Sequence, residues 1–200
     1  MFVQNPKDMK TRMLIIFLLF FCKTLLSGQT IAERIMPPEG YVRTEVAANS
    51  FASYLRRLPL QPEGSKVLLY NGETKRNQLP AYAVVDLDIG KRDLQQCADA
   101  VIRLRAEYLY EQKQYAAIHF IIQGGHPGHA VIVVDMAVHP KTKKKVFLLA
   151  QSYMPAQHIH ILTNPVNRKK SPWYELSDSD DGKVYTPEWI FNKKDLKQFK

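Results

Sequence analysis

One thiol and one imidazole in this chain of 200 residues stand where they could work as a pair. Cys97 lies at the start of a stretch with helical spacing, and His129 opens an apolar run after a glycine-rich loop. A thiol near a helix N-terminus is acidified by the aligned peptide dipoles, and an imidazole within reach makes it a nucleophile toward a carbonyl carbon. Gln151, on the following apolar run, carries an amide able to orient that ring. The set reads as Cys97 nucleophile, His129 general base and Gln151 orienting residue, the chemistry of a thiol amidase or peptidase. The plainer reading is a core filler at Cys97 and a structural loop histidine at His129, because a buried free cysteine is a common core residue.

The stretch that must position these groups is 124–157, GGHPGHAVIVVDMAVHPKTKKKVFLLAQSYMPAQ. Residues 130–137 and 146–150 are apolar runs, and His139-Pro140-Lys141-Thr142 between them puts proline where a turn favours it. Two such runs around a turn read as a β-hairpin buried on both faces. If the turn centres between Pro140 and Lys141, paired residue numbers sum to 281. His129 then faces Ser152, with Gln151 next to it across the ladder, where neighbours lie about 5 Å apart. A turn centred two residues later would instead set His129 against Met154 or Pro155, and Pro140 favours the first register.

Other chemistries were weighed on the same terms. His126-x-x-His129 and His158-x-His160 supply imidazoles of the kind zinc takes, yet no thiol or acidic ligand stands at a telling spacing, so neither metal nor cofactor is expected. Asp86 and Asp88 share a strand face but are expected to end that strand before the Gly90 turn. A hydrolase serine motif, a phosphate loop and a dinucleotide fingerprint are absent.

The first 28 residues have the layout of a secretory signal peptide. Lys7, Lys10 and Arg12 precede the apolar residues 13–22, and Ser27-Gly28 offers a small-residue cleavage site. Removing that segment takes away four basic and one acidic residue, so the formal net charge falls from +9 to +6. It leaves Cys97 as the one cysteine, which excludes an intramolecular disulfide. The remaining basic clusters at 141–145, 168–170 and 193–200 read as solvated turns and a chain end, and no nucleic-acid motif accompanies them. The expectation is an exported chain, periplasmic or extracellular, with no integral membrane span after cleavage.

Residues 29–200 suffice for one domain with its own core. Ser50 can cap a short helix whose apolar residues Phe51, Tyr54, Leu55 and Leu58 share a face. Strands are expected at 66–70, 81–86 and 116–122, and 158–162 alternates as an edge strand would. Asp93 with Gln96 reads as the capping box of the longest helix, whose core face would carry Leu94, Cys97, Ala98, Val101, Ile102, Tyr108 and Leu109. Residues 163–183 read as a polar loop, and Thr186-Pro187-Glu188-Trp189 would pack the chain's end on the body. The fold class is therefore α+β: a mainly antiparallel sheet with one long packed helix.

The order helix-Cys, strand-His, strand-polar resembles the papain-like fold of NlpC-type cell-wall peptidases and CHAP amidases, although Cys97 lacks their common Asp-Cys-Ser/Gly flank. More of the chain is similar to an uncharacterised exported bacterial family, domain of unknown function 4846. The likeness is carried by residues 96–109 (QCADAVIRLRAEYL), 127–137 (PGHAVIVVDMA), 148–157 (LLAQSYMPAQ), Ser171-Pro172-Trp173-Tyr174 and Thr186-Pro187-Glu188-Trp189. It implies export and a single domain, not a reaction. The family's pattern holds a long segment where residues 120–123 stand here, so an internal deletion is expected at that point. The resulting reading is an exported cell-envelope protein, a thiol hydrolase of envelope peptides or a non-catalytic protein binding envelope peptide or glycan. A metal-binding module on the histidine pairs is the third class.

Overall fold

The computed structural model describes residues 29–117 and 128–197. Over these the chain runs α1 (Ile31–Arg34), β1 (Val42–Arg43), α2 (Phe51–Arg56), β2 (Ala81–Val84), α3 (Cys97–Glu111), β3 (Ile132–Val138), β4 (Lys145–Gln151), β5 (His160–Leu162), β6 (Tyr174–Glu175), β7 (Lys183–Tyr185) and β8 (Ile190–Asn192). The antiparallel sheet has the order β1-β3-β4-β5-β2, with β6 also on β4, while β7 and β8 form a separate hairpin. The α+β reading holds at this level: one domain of mixed helix and antiparallel sheet.

β3 and β4 pair because their apolar side chains can be buried on both faces once the turn closes. The turn runs from His139 to Lys144, with Lys143 at φ 59° and its N–H donating to His139 O at 2.9 Å. Paired numbers sum to 283 near the turn (Ala137 with Val146) and 282 at the far end (Ile132 with Ala150), not 281. The shift between Val133 and Asp135 is a β-bulge, which sets two residues against one. The bulge recovers one residue of the offset, so the polar end of the hairpin keeps His129 and Gln151 together.

β4 is the spine. Val146, Leu148 and Ala150 point to the main core with Ile31, Leu55, Leu60, Leu104 and Trp173, while Phe147 and Leu149 point to a smaller cluster with Leu162 and Tyr174. Ser50 caps α2 as expected, accepting from Ser53 N at 3.2 Å. Besides the register, several expectations need correction. Helix α3 begins at Cys97, because Asp93 Oδ1 accepts from Ala156 N at 2.6 Å and Gln96 takes the cap with Asp99. Its core face holds Leu109, Val101 and Tyr108 as expected but centres on Ala100 and Leu104, while Leu94 and Ala98 are exposed. Residues 66–70 make only isolated bridges (Leu68 with Thr74, Leu69 with Gln157). β5 is interior, between β4 and β2, rather than an edge strand. Residues 163–183 hold β6 and the buried Trp173, whose Nε1 donates to Met36 O at 2.8 Å. Tyr115–Ala117 is a 3-10 turn, and the rest of the strand expected at 116–122 lies outside the described residues, as do the signal segment and the deletion point. Among the described residues no helix is long and apolar enough to cross a membrane.

Candidate functional site

Four elements converge on the open end of the β3–β4 hairpin. His129 precedes β3, Gln151 ends β4, and His160 opens β5 directly opposite Gln151. The fourth is the β7–β8 turn. Pro187 holds the second turn position, Thr186 N donates to Trp189 O at 2.9 Å, and Trp189 N returns to Thr186 Oγ1 at 3.1 Å. That closed turn delivers Glu188 and Trp189 to the site.

The hydrogen bonds form one directed chain. Lys75 Nζ lies 2.6 Å from Glu188 Oε2, and both side chains are largely buried. Gln151 Nε2 donates to the same carboxylate oxygen at 2.7 Å, which turns Gln151 Oε1 toward His129 Nε2 at 2.8 Å. An amide oxygen accepts only, so His129 Nε2 carries the proton and Nδ1 holds the lone pair. His160 fits the same polarity: Nδ1 donates to the His158 carbonyl at 3.0 Å, and Nε2 faces the Gln151 amide at 3.4 Å.

The electrostatics keep both imidazoles neutral. Burial lowers the His129 pKa, against the smaller upward pull of Gln151 and Glu188, and Lys75 adds to the lowering. His160 is fully buried and its pKa is pushed down to about 3, again chiefly by burial. Around His129 stand three rings, Tyr153 at 4.7 Å between centroids, Trp189 at 5.5 Å and Phe191 at 5.9 Å. A neutral imidazole whose Nε2 is bonded and whose Nδ1 has no hydrogen bond among the described residues, set among three aromatic rings, is suited to accept a proton.

Of the three residues expected from sequence, His129 and Gln151 are in direct contact. Cys97 is the first residue of α3, half-buried. Among the described residues its sulfur makes no hydrogen bond to His129, but the two share Tyr153. The phenol's pKa is raised by burial first, then by the charges of Glu188 and Cys97. Ser152 turns away, donating to Gln95 O and Gln157 O at 2.7 and 2.9 Å. Among the described residues, no three of the groups His, Cys, Asp and Glu gather where they could hold a metal ion. His126 lies outside the described residues, and His158 Nδ1 is taken by Leu68 N at 3.1 Å. Asp86 and Asp88 act on His158 only as nearby charges that offset part of its burial-lowered pKa.

Glu188, Lys75 and Tyr153 were not expected at the site from sequence, and His160 was considered there only as a zinc-type ligand, not as a neighbour of Gln151. For Glu188 a signal existed: Thr186-Pro187 opens a turn between two short runs that can pair, which marks a hairpin tip. Lys75 sits in a polar loop with nothing to distinguish it.

A family model described as Domain of unknown function (4846) matches residues 31–123 and 119–198, two segments that meet where the family's pattern is expected to be interrupted. No curated protein and no solved structure matches the chain.

Proposed function

We propose, for a chain that belongs to the domain of unknown function 4846 family, that the site is a thiol amidase or peptidase centre with a papain-like division of labour. The observation that carries this is the Gln151–His129 hydrogen bond of 2.8 Å, which leaves Nδ1 as the basic nitrogen in an apolar cage. Cys97 Sγ would attack the amide carbon, its proton passing to His129 Nδ1. That proton then goes to the leaving amine as the C–N bond breaks, and water hydrolyses the thioester with His129 again as base. With residues 1–28 read as an export signal, the substrate class is a cell-envelope peptide.

The test is the rate of iodoacetamide alkylation of Cys97 against pH, in the wild type and in His129→Ala. Alkylation that persists well below the ordinary thiol pKa of about 8.5, and loses that acidity in the mutant, supports the pair. A thiol that reacts only after denaturation makes Cys97 a packing residue and ends the proposal. A second reading draws on the three rings around His129 and the missing Cys97–His129 hydrogen bond: a non-catalytic protein binding an envelope peptide or glycan. Binding of such a ligand that survives Cys97→Ala, with no thiol activation, would select it.

A further inference from the structure

We propose that Glu188, carried on the β7–β8 turn, is the residue that sets the tautomer of His129, acting through Gln151. The part of this that concerns catalysis rests on the thiol-hydrolase reading; the tautomer itself does not.

The argument is one of donors and acceptors. Gln151 is buried, and its amide can sit in either of two orientations of nearly equal shape. In one, the NH2 meets Glu188 Oε2 at 2.7 Å and the oxygen meets His129 Nε2 at 2.8 Å. In the other, the amide oxygen would face a carboxylate oxygen, two acceptors with no proton between them. The carboxylate therefore decides the orientation, and that orientation decides which ring nitrogen of His129 keeps its proton. Lys75 Nζ, at 2.6 Å, holds the carboxylate in place and balances its charge away from water. His160 Nε2 favours the same orientation from 3.4 Å, a longer and weaker contact. Glu188 makes no hydrogen bond with His129 and reaches it directly only as a nearby charge; it is a positioning residue. Because it sits on a hairpin outside the main sheet, the basic nitrogen is prepared only while that hairpin is docked.

Glu188→Gln separates charge from shape. A glutamine can offer either an oxygen or an NH2 to Gln151, so the instruction is lost while the volume stays. The measurement is 15N NMR of the His129 imidazole nitrogens near neutral pH, with backbone spectra to verify folding. In the wild type the Nε2–H form should exceed Nδ1–H by on the order of tenfold, the effect of one good hydrogen bond. In Glu188→Gln the ratio should fall to within about threefold, since only the weaker His160 contact remains to set the amide. Lys75→Gln, which keeps a donor to Glu188, should retain the wild-type form. A wild type with Nδ1–H dominant overturns the proposal without any variant, and so does an unchanged ratio in Glu188→Gln. Should that variant fail to fold, Gln151→Met replaces it, with the same loss expected and an unchanged ratio again fatal.

Alkylation of Cys97 in the same samples keeps the two ideas apart. A tautomer that follows Glu188 beside an inert thiol sinks the hydrolase reading and leaves this one standing. An activated thiol beside a tautomer indifferent to Glu188 does the reverse.

Discussion

His160 shows how a single buried side chain sets a limit on acid stability. Its two nitrogens are bonded in the neutral form, and burial holds its pKa at about 3 against 6.5 in the open chain. Between those values the unfolded chain binds a proton that the folded chain refuses, so stability is full above the unfolded pKa and falls as the pH drops. One such group gives a slope of at most about 1.4 kcal/mol per pH unit. His129 and His158, both lowered by burial, act with the same sign. Urea unfolding at pH 7.0, 6.0 and 5.0 should show the loss, and His160→Gln should lessen the slope whatever it does to stability at neutral pH. Equal slopes in the two proteins would mean that His160 is protonated in the fold. At this scale the sequence was partly legible. Apolar runs and a turn sufficed to bring His129 to Gln151, since strand pairing is local. Glu188 and Lys75 were not legible, because their meeting depends on where a distant hairpin docks.

At the scale of elements, the bulge in β3 does more than adjust the register. It turns Asp135 to a position where its carboxylate, fully buried, takes Arg43 Nε at 2.7 Å and Arg56 Nε at 2.5 Å. Arg43 also donates to Ile35 O, and Arg56 to Thr44 O and Met136 O. One carboxylate thus ties β1, α2 and the end of α1 to the middle of β3. Removing it leaves two guanidinium groups facing each other with little water, so Asp135→Ala should cost about 3–5 kcal/mol in urea unfolding. A loss below about 1 kcal/mol would place these charges in solvent and make the cluster a surface feature. Nothing in the run VIVVDMAV signalled this, because an aspartate in a buried strand is legible as paired only once its partners are known. Capping was legible where it was local: Ser50 caps α2 as its position implies. It failed at α3, where the Asp93 carboxylate is drawn to Ala156 N, a contact 63 residues away.

Across the whole molecule the sheet has two buried faces of unequal weight, and β4 measures the difference. Alternate residues of a strand point to opposite faces, so Leu148 and Leu149 are neighbours in sequence that belong to different cores. Among the described residues, the first core joins the three helices' apolar sides, Ile31 of α1 among them, with Ile35 and Trp173; the second has four buried residues, edged by Val131, Val133 and Val184. The helix-covered face was expected from the apolar spacing of two helices. Burial of the opposite face was expected from the hairpin's apolar runs, but its cover was not, because residues 163–183 look polar and Tyr174, which packs there, is held by its contact with Thr163 rather than by a local pattern. Both leucines are almost fully buried. Truncation costs the lost transfer energy plus a cavity term that shrinks where the surroundings can collapse. Around Leu148, packed between strands and helices, collapse is hindered, and Leu148→Ala should cost about 4–5 kcal/mol. Around Leu149 the cluster is small and edged by Val184 of the β7–β8 hairpin, outside the main sheet; collapse onto the cavity is easier there, so Leu149→Ala should cost nearer 2–3 kcal/mol. That hairpin also carries Glu188, so Leu149→Ala should disturb the His129 tautomer while Leu148→Ala leaves it alone. Equal losses from both leucines, with the tautomer untouched, would mean that the hairpin rests on the sheet independently of the second core.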